Sequence, residues 1–158
     1  MSGFSIRRRI LGVDFGEVRI GVAVSDELGM LAHPVETIPA KGDALNRIAE
    51  LVKEKDAERV VIGLPRHMNG TVGAGAAEAL AFAEKLRARV PCEVITWDER
   101  MTTMAAARAL RESGQNSRNS RGVIDQVAAQ MILQGYLDGL QAARGSEAEG
   151  GPDAAQHN

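Results

Sequence analysis

The chain has 158 residues, the size of one domain able to bury a proper core. Apolar residues make up 44% and charged residues 25%, with a formal net charge of −2, an ordinary balance for a globular protein. No apolar run approaches the roughly 18 residues of a membrane span, so no membrane partner is expected.

The opening segment, Met1 to Arg9, is basic but leads straight into a strand pattern, unlike a signal peptide. Residues 9–15 and 18–25 read as two β-branched strands joined by a short turn at Gly16-Glu17, a hairpin. A third strand is expected over 30–38. Pro34 cannot donate a ladder hydrogen bond, which puts that strand at a sheet edge. Asp43 is expected to cap a helix with apolar positions Leu45, Ile48, Ala49, Leu51 and Val52. Val60 to Leu64 is a continuous apolar run, as in a strand buried on both faces.

The loop 65–71 follows, then an alanine-rich helix over 74–88 with Leu80, Phe82, Ala83 and Leu86 available for packing. Residues 92–97 read as a fifth strand, and 103–112 as another helix. The lone Cys92, in apolar company, fits a packed thiol in a reducing compartment, so the cytoplasm is the expected location. Residues 113–122 are rich in Ser, Asn and Arg, and a last helix is expected from about 123 to 140. The domain is drawn at 1–141, followed by an acidic tail, 142–158, with nothing to bury and disorder expected. The order β-β-β-α-β-α-β-α-α predicts an α/β fold. Its mixed five-stranded sheet is an antiparallel meander continued by parallel strands, with helices on both faces.

Three carboxylates stand where a soluble fold normally avoids them. Asp14 interrupts the apolar run from Ile10 to Gly16, Glu99 follows the run Val94 to Trp97, and Asp125 opens an otherwise apolar helix. An unpaired buried carboxylate is costly, and three gathered together suit Mg²⁺ or Mn²⁺ through hard oxygen ligands. In open α/β sheets, sites form beyond the carboxyl ends of the parallel strands, where Asp14 and Glu99 should both emerge. Asp125 would have to reach them from the last helix, whose dipole would favour its ionised form. Each also has a bland reading: Asp14 in a turn, Glu99 on the surface with Asp98 in its place, Asp125 near a helix cap. Residues 100–122 hold five arginines, Arg118 and Arg121 among them, against one acid, Glu112, a local basic stretch able to meet phosphate. The three histidines are too scattered for a zinc signature, and no Walker A loop or Gly-x-Gly-x-x-Gly turn is present.

Four linked segments carry a family resemblance. Asp14-Phe15-Gly16 with Arg19 to Asp26, Gly63-Leu64-Pro65 with Met68 to Thr71, Asp98-Glu99-Arg100 with Thr102-Thr103, and Val123 to Ala129 resemble the motifs of the YqgF/RuvX-like proteins, in order and spacing, over about residues 9–140. The resemblance implies a ribonuclease-H-like fold and a metal-dependent nuclease that matures the 5′ end of the small-subunit ribosomal RNA precursor. It implies an acidic metal site of Asp14, Glu99 and Asp125, with Arg19, Arg100 and Thr103 organising the site or contacting phosphate, and structured RNA as partner. Glu17-Val18 departs from the family's small polar and basic pair, and Asn69 from its usual Asp. A Holliday-junction resolvase of the same fold is the alternative, and would need two active sites and hence a homodimer rather than a monomer. A non-catalytic nucleic-acid-binding module is the alternative from another class. An actin-like phosphotransferase needs a second half that this length cannot hold.

Overall fold

The computed structural model describes residues 9–64, 74–98 and 125–143. Strands β1 (Arg9–Asp14), β2 (Arg19–Ser25) and β3 (Ala32–Pro39) precede helix α1 (Ala44–Glu54) and strand β4 (Ala57–Leu64). Helix α2 (Ala74–Arg87) and strand β5 (Glu93–Asp98) follow, and residues 125–143 form a further helix, α3. The expected helix 103–112, the linker 113–122 and the chain from 144 onward lie outside the described residues. Helix α3 continues through residue 143, so Ala142 and Ala143 extend it. No described helix is long and apolar enough to cross a membrane.

The sheet has the order β3-β2-β1-β4-β5. The first three strands are antiparallel, and β4 and β5 join β1 in parallel. This is the expected mixed sheet, with the proline-bearing β3 at its edge. Val22 pairs with Glu36 and Ala23 with Pro34, so Val35 is an extra residue in β3. That bulge lies beside the one residue unable to donate to the ladder. Strand β4 is longer than its apolar run because its polar start pairs back to β1, Arg9 with Ala57 and Ile10 with Arg59.

Side-chain alternation divides the core between two layers. Leu11, Val13, Ile20, Val22, Val60 and Ile62 face α1 and α2. Ile10, Ala23 and Val61 face Ala128, Ala129, Ile132, Leu133, Tyr136 and Leu137 of α3. Helices thus cover both faces. In α1, Ala44, Ile48, Leu51 and Val52 recur at helical spacing and are buried. Asp43 does stand at its N-cap, but the carboxylate makes no capping bond; it accepts 2.7 Å from the Asn46 side-chain amide. In α2 the buried positions are Ala76, Ala79, Phe82, Ala83 and Leu86, while Leu80 is exposed, against expectation. At 3.6 residues per turn it stands roughly 100° around the helix from the centre of those buried positions, on the flank of the packed face. Cys92 packs against this layer, and burial pushes its thiol pKa up, which keeps it protonated and inert.

Helix α3 lies very close to the sheet because the strands beneath it carry glycine at two positions, Gly12 and Gly21. A Cβ at Gly12 would sit 2.6 Å from Leu133 Cβ and 3.1 Å from the Ala129 carbonyl oxygen. A Cβ at Gly21 would overlap the Asp125 carbonyl oxygen and lie 2.5 Å from its carbonyl carbon. At the other end of α3, Trp97 meets Tyr136 edge-on with ring centroids 5.5 Å apart. The Gln134 amide spans Met30 and Ala32 by two 2.9 Å backbone bonds.

Two predictions follow from these contacts. Gly21→Ala must push backbone against backbone, and should cost about 1–3 kcal/mol of stability, as overpacking does. Chemical denaturation checks it; an unchanged midpoint would show that α3 can retreat freely. The second concerns Arg47, which holds Glu36 of the edge strand through Nη2–Oε1 at 2.7 Å and Nε–Oε2 at 2.8 Å. The hydrogen bonds from Arg47 lower the Glu36 pKa below its ordinary 4.5. A depressed carboxylate stabilises the fold above its unfolded value, and that stabilisation disappears as pH falls through the folded one. Glu36→Gln should therefore lower the melting temperature at neutral pH and flatten its decline between roughly pH 5 and 3. Parallel wild-type and variant curves across that range would contradict it.

Candidate active site

Strand β1 ends on Asp14, and period-two alternation puts it on the same face as Ile10 and Gly12, the face covered by α3. Opposite Asp14 in the antiparallel ladder stands Gly21. The space that Gly21 leaves is filled by the backbone of Asp125. Residues more than a hundred positions apart are thus brought side by side by one missing side chain. Both carboxylates are buried, Asp14 at 8% exposure and Asp125 at 6%.

The intervening turn is built to stay put. A Cβ at Gly16 would lie 2.5 Å from the Arg19 carbonyl oxygen, so only glycine lets the hairpin close so tightly. The Ala40 backbone N–H donates 2.9 Å to the Val18 carbonyl, tying the turn to the end of β3. Phe15, pointing to the other layer, packs against Phe82 of α2 with ring centroids 4.9 Å apart. From this turn Arg19 reaches Asp125, its Nε donating to Oδ2 at 2.7 Å. Asp14, Gly16, Glu17, Val18, Arg19 and Asp125 line one cleft of about 270 Å³. It opens at the edge where β1, β4 and β5 end at Asp14, Leu64 and Asp98, the last two paired across the ladder.

Of the residues singled out from sequence, Asp14, Asp125 and Arg19 share this cleft. Glu99, Arg100, Thr103, Arg118 and Arg121 lie outside the described residues; the described part of β5 stops at Asp98, one position short of Glu99. Among the described residues no three His, Cys, Asp or Glu side chains group closely enough to hold a metal ion. Two buried carboxylates are nonetheless hard oxygen donors, the chemistry that Mg²⁺ or Mn²⁺ takes and that zinc sites rich in nitrogen and sulfur do not resemble. The cleft includes residues that pattern reading passed over as site members. Glu17 and Val18, visible only as departures from a motif, form its exposed rim, with Val18 at 68% exposure. Gly21 seats Asp125, and its signal was a glycine within an otherwise branched strand.

Comparison with known proteins agrees with this architecture. Residues 8–139 match the family model described as RuvX, Holliday junction resolvase. A Nocardia farcinica protein named "Putative pre-16S rRNA nuclease" is 51% identical over 152 residues, covering 90% of this chain and 84% of the relative. A protein of the same name from Acetivibrio thermocellus is 47% identical over 134 residues, covering 82% and 95%. Among solved structures, Thermus thermophilus RuvC in complex with a Holliday junction substrate aligns with a TM-score of 0.53 at 15% identity, over 86% of this chain and 97% of RuvC. At that identity the likeness speaks for the fold, which is ribonuclease-H-like. With a family model spanning nearly all of the described sheet and α3, and relatives near half identity, this chain belongs to the RuvX family.

Proposed function

We propose that this protein is a metal-dependent nuclease that hydrolyses phosphodiester bonds, with the 5′ end of the precursor of 16S ribosomal RNA as its target. The observation that carries the reading is the meeting of Asp14 and Asp125, both buried, at one cleft on the carboxyl edge of the sheet. Burial of two carboxylates side by side is unfavourable without cations. Arg19 supplies one positive charge. A divalent ion held by Asp14, Asp125 and Glu99 would add two more. Mg²⁺ and Mn²⁺ both suit such a set.

When bound, such an ion lowers the pKa of water and stabilises charge on the leaving oxygen. The chain's own residues do the remaining work. The carboxylates fix the position of the ion, and Arg19, on the cleft wall, meets phosphate charge. Arg100, Thr103, Arg118 and Arg121 extend the grip along the backbone, electrostatically and without reading bases. The target follows from the relatives' name, and a reducing cytoplasm is the matching compartment. A second reading, cleavage of four-way DNA junctions, is favoured by the family's description. It requires two copies of the site, hence a homodimer.

The test is cleavage of a 16S precursor RNA, a single-stranded DNA and a four-way junction, each with Mg²⁺ and with Mn²⁺. Asp14→Asn should lower cleavage at least about a hundredfold, as loss of a transition-state stabiliser does, while the thermal midpoint stays within a few degrees. Asp125→Asn should behave alike. Full cleavage by Asp14→Asn would sink the reading, and binding without any product would favour a non-catalytic module. Preference among the three substrates separates the RNA target from the junction.

A further inference from the structure

Asp125 is already partnered by a cation that belongs to the protein. Its Oδ2 accepts from Arg19 Nε at 2.7 Å, and the carboxylate side chain is 8% exposed. Arg19 is differently placed, with 37% of its side chain accessible and its position on the wall of the cleft. Among the described residues Asp125 is the one ion-pair partner of Arg19, and only Nε is used in that bond. The two terminal nitrogens carry the donors best suited to a bidentate phosphate.

Two cations cannot share one buried carboxylate cheaply. Like charges brought this close repel, and more strongly where burial keeps water from screening them. A divalent ion on Asp125 therefore either expels Arg19 or is held more weakly because of it. Arg19 cannot go far. The Gly16 turn and the Ala40–Val18 bond hold its backbone, so its head group swings about a fixed base on the cleft wall. A guanidinium released there can turn to the phosphate of a bound substrate, which its terminal nitrogens can hold with two parallel hydrogen bonds.

We propose that Arg19 is a positioning residue that gates metal entry, exchanging Asp125 for the substrate phosphate as the ion binds. The proposal rests on Asp14 and Asp125 being metal ligands. Without nucleic acid, the Arg19–Asp125 pair keeps the affinity for divalent ions low and the buried carboxylate neutralised. A phosphodiester gives Arg19 an alternative partner, so metal and substrate strengthen each other's binding by the same factor. The device would discourage a fully loaded site in the absence of its substrate.

The test measures Mg²⁺ binding by calorimetry, without cleavage, for wild type, Arg19→Gln, Arg19→Lys and Asp14→Asn, with and without dimethyl phosphate as a phosphodiester probe. Arg19→Gln should bind Mg²⁺ about tenfold more tightly than wild type, a coupling of ordinary size, and should lose any dependence on dimethyl phosphate. Arg19→Lys should stay near wild type, because it keeps the competing charge. In wild type, the Arg19 Nε–H proton signal, assigned by its loss in Arg19→Lys, should move as Mg²⁺ is added. Unchanged or weaker Mg²⁺ binding by folded Arg19→Gln overturns the gate while leaving the metal site standing. Should Arg19→Gln fail to fold, a stationary Nε–H signal in wild type overturns it instead. Mg²⁺ binding by wild type that Asp14→Asn does not reduce would defeat the metal-site reading itself, and the gate with it.

Discussion

Asp125 can stand beside Asp14 because at Gly12 and Gly21 only hydrogen atoms separate helix α3 from the strands beneath it. Gly12 and Gly21 leave the sheet bare under Ala129, Leu133 and the backbone of Asp125. An ordinary helix rests on a sheet at the distance that the side chains of both elements set. At that distance a short aspartate on α3 would not reach a short aspartate on β1. The rest of the site depends on this approach: the burial of both acids, the cleft they share, and the reach of Arg19 to Asp125.

The arrangement also explains why one face of the sheet is packed so differently from the other. The α1 and α2 layer uses large residues, Leu11, Ile20, Ile48, Ile62 and Leu86, and behaves as an ordinary core. The α3 layer uses Ala23, Ala128 and Ala129 near the site and larger groups, Ile132, Leu137 and Tyr136, farther along the helix. Small contacts at one end and bulky ones at the other set how the helix lies on the sheet. A core layer thereby doubles as an aiming device for a carboxylate.

Much of this was legible from the residues. Alternation and apolar runs identify the strands, Pro34 identifies the edge, and Asp14 within an apolar strand is out of place on energetic grounds alone. Part of what pattern reading missed depended on a distant partner. Gly21 looks like any strand glycine until Asp125 is set against it, and no local periodicity links positions 21 and 125. Asp43 has the right type and place for a cap, but the Asn46 side chain takes its carboxylate. Leu80 is apolar in an apolar helix and still faces solvent, because alanines at the neighbouring positions are what fit against the sheet. The partner that decides Gly21 is more than a hundred positions away, whereas Asp43 is taken by a neighbour three residues on.

The bulge in β3 has a meaning beyond the pairing of two strands. An exposed sheet edge is a template on which another chain can add a strand, the first step of amorphous or fibrillar assembly. Strand β3 presents that edge with Pro34, which cannot donate, and with Val35 thrown out of register beside it. A passing strand would find neither an unbroken row of donors nor a flat surface. The protein thus carries a guard against edge-to-edge aggregation in one of the two edge strands of its sheet.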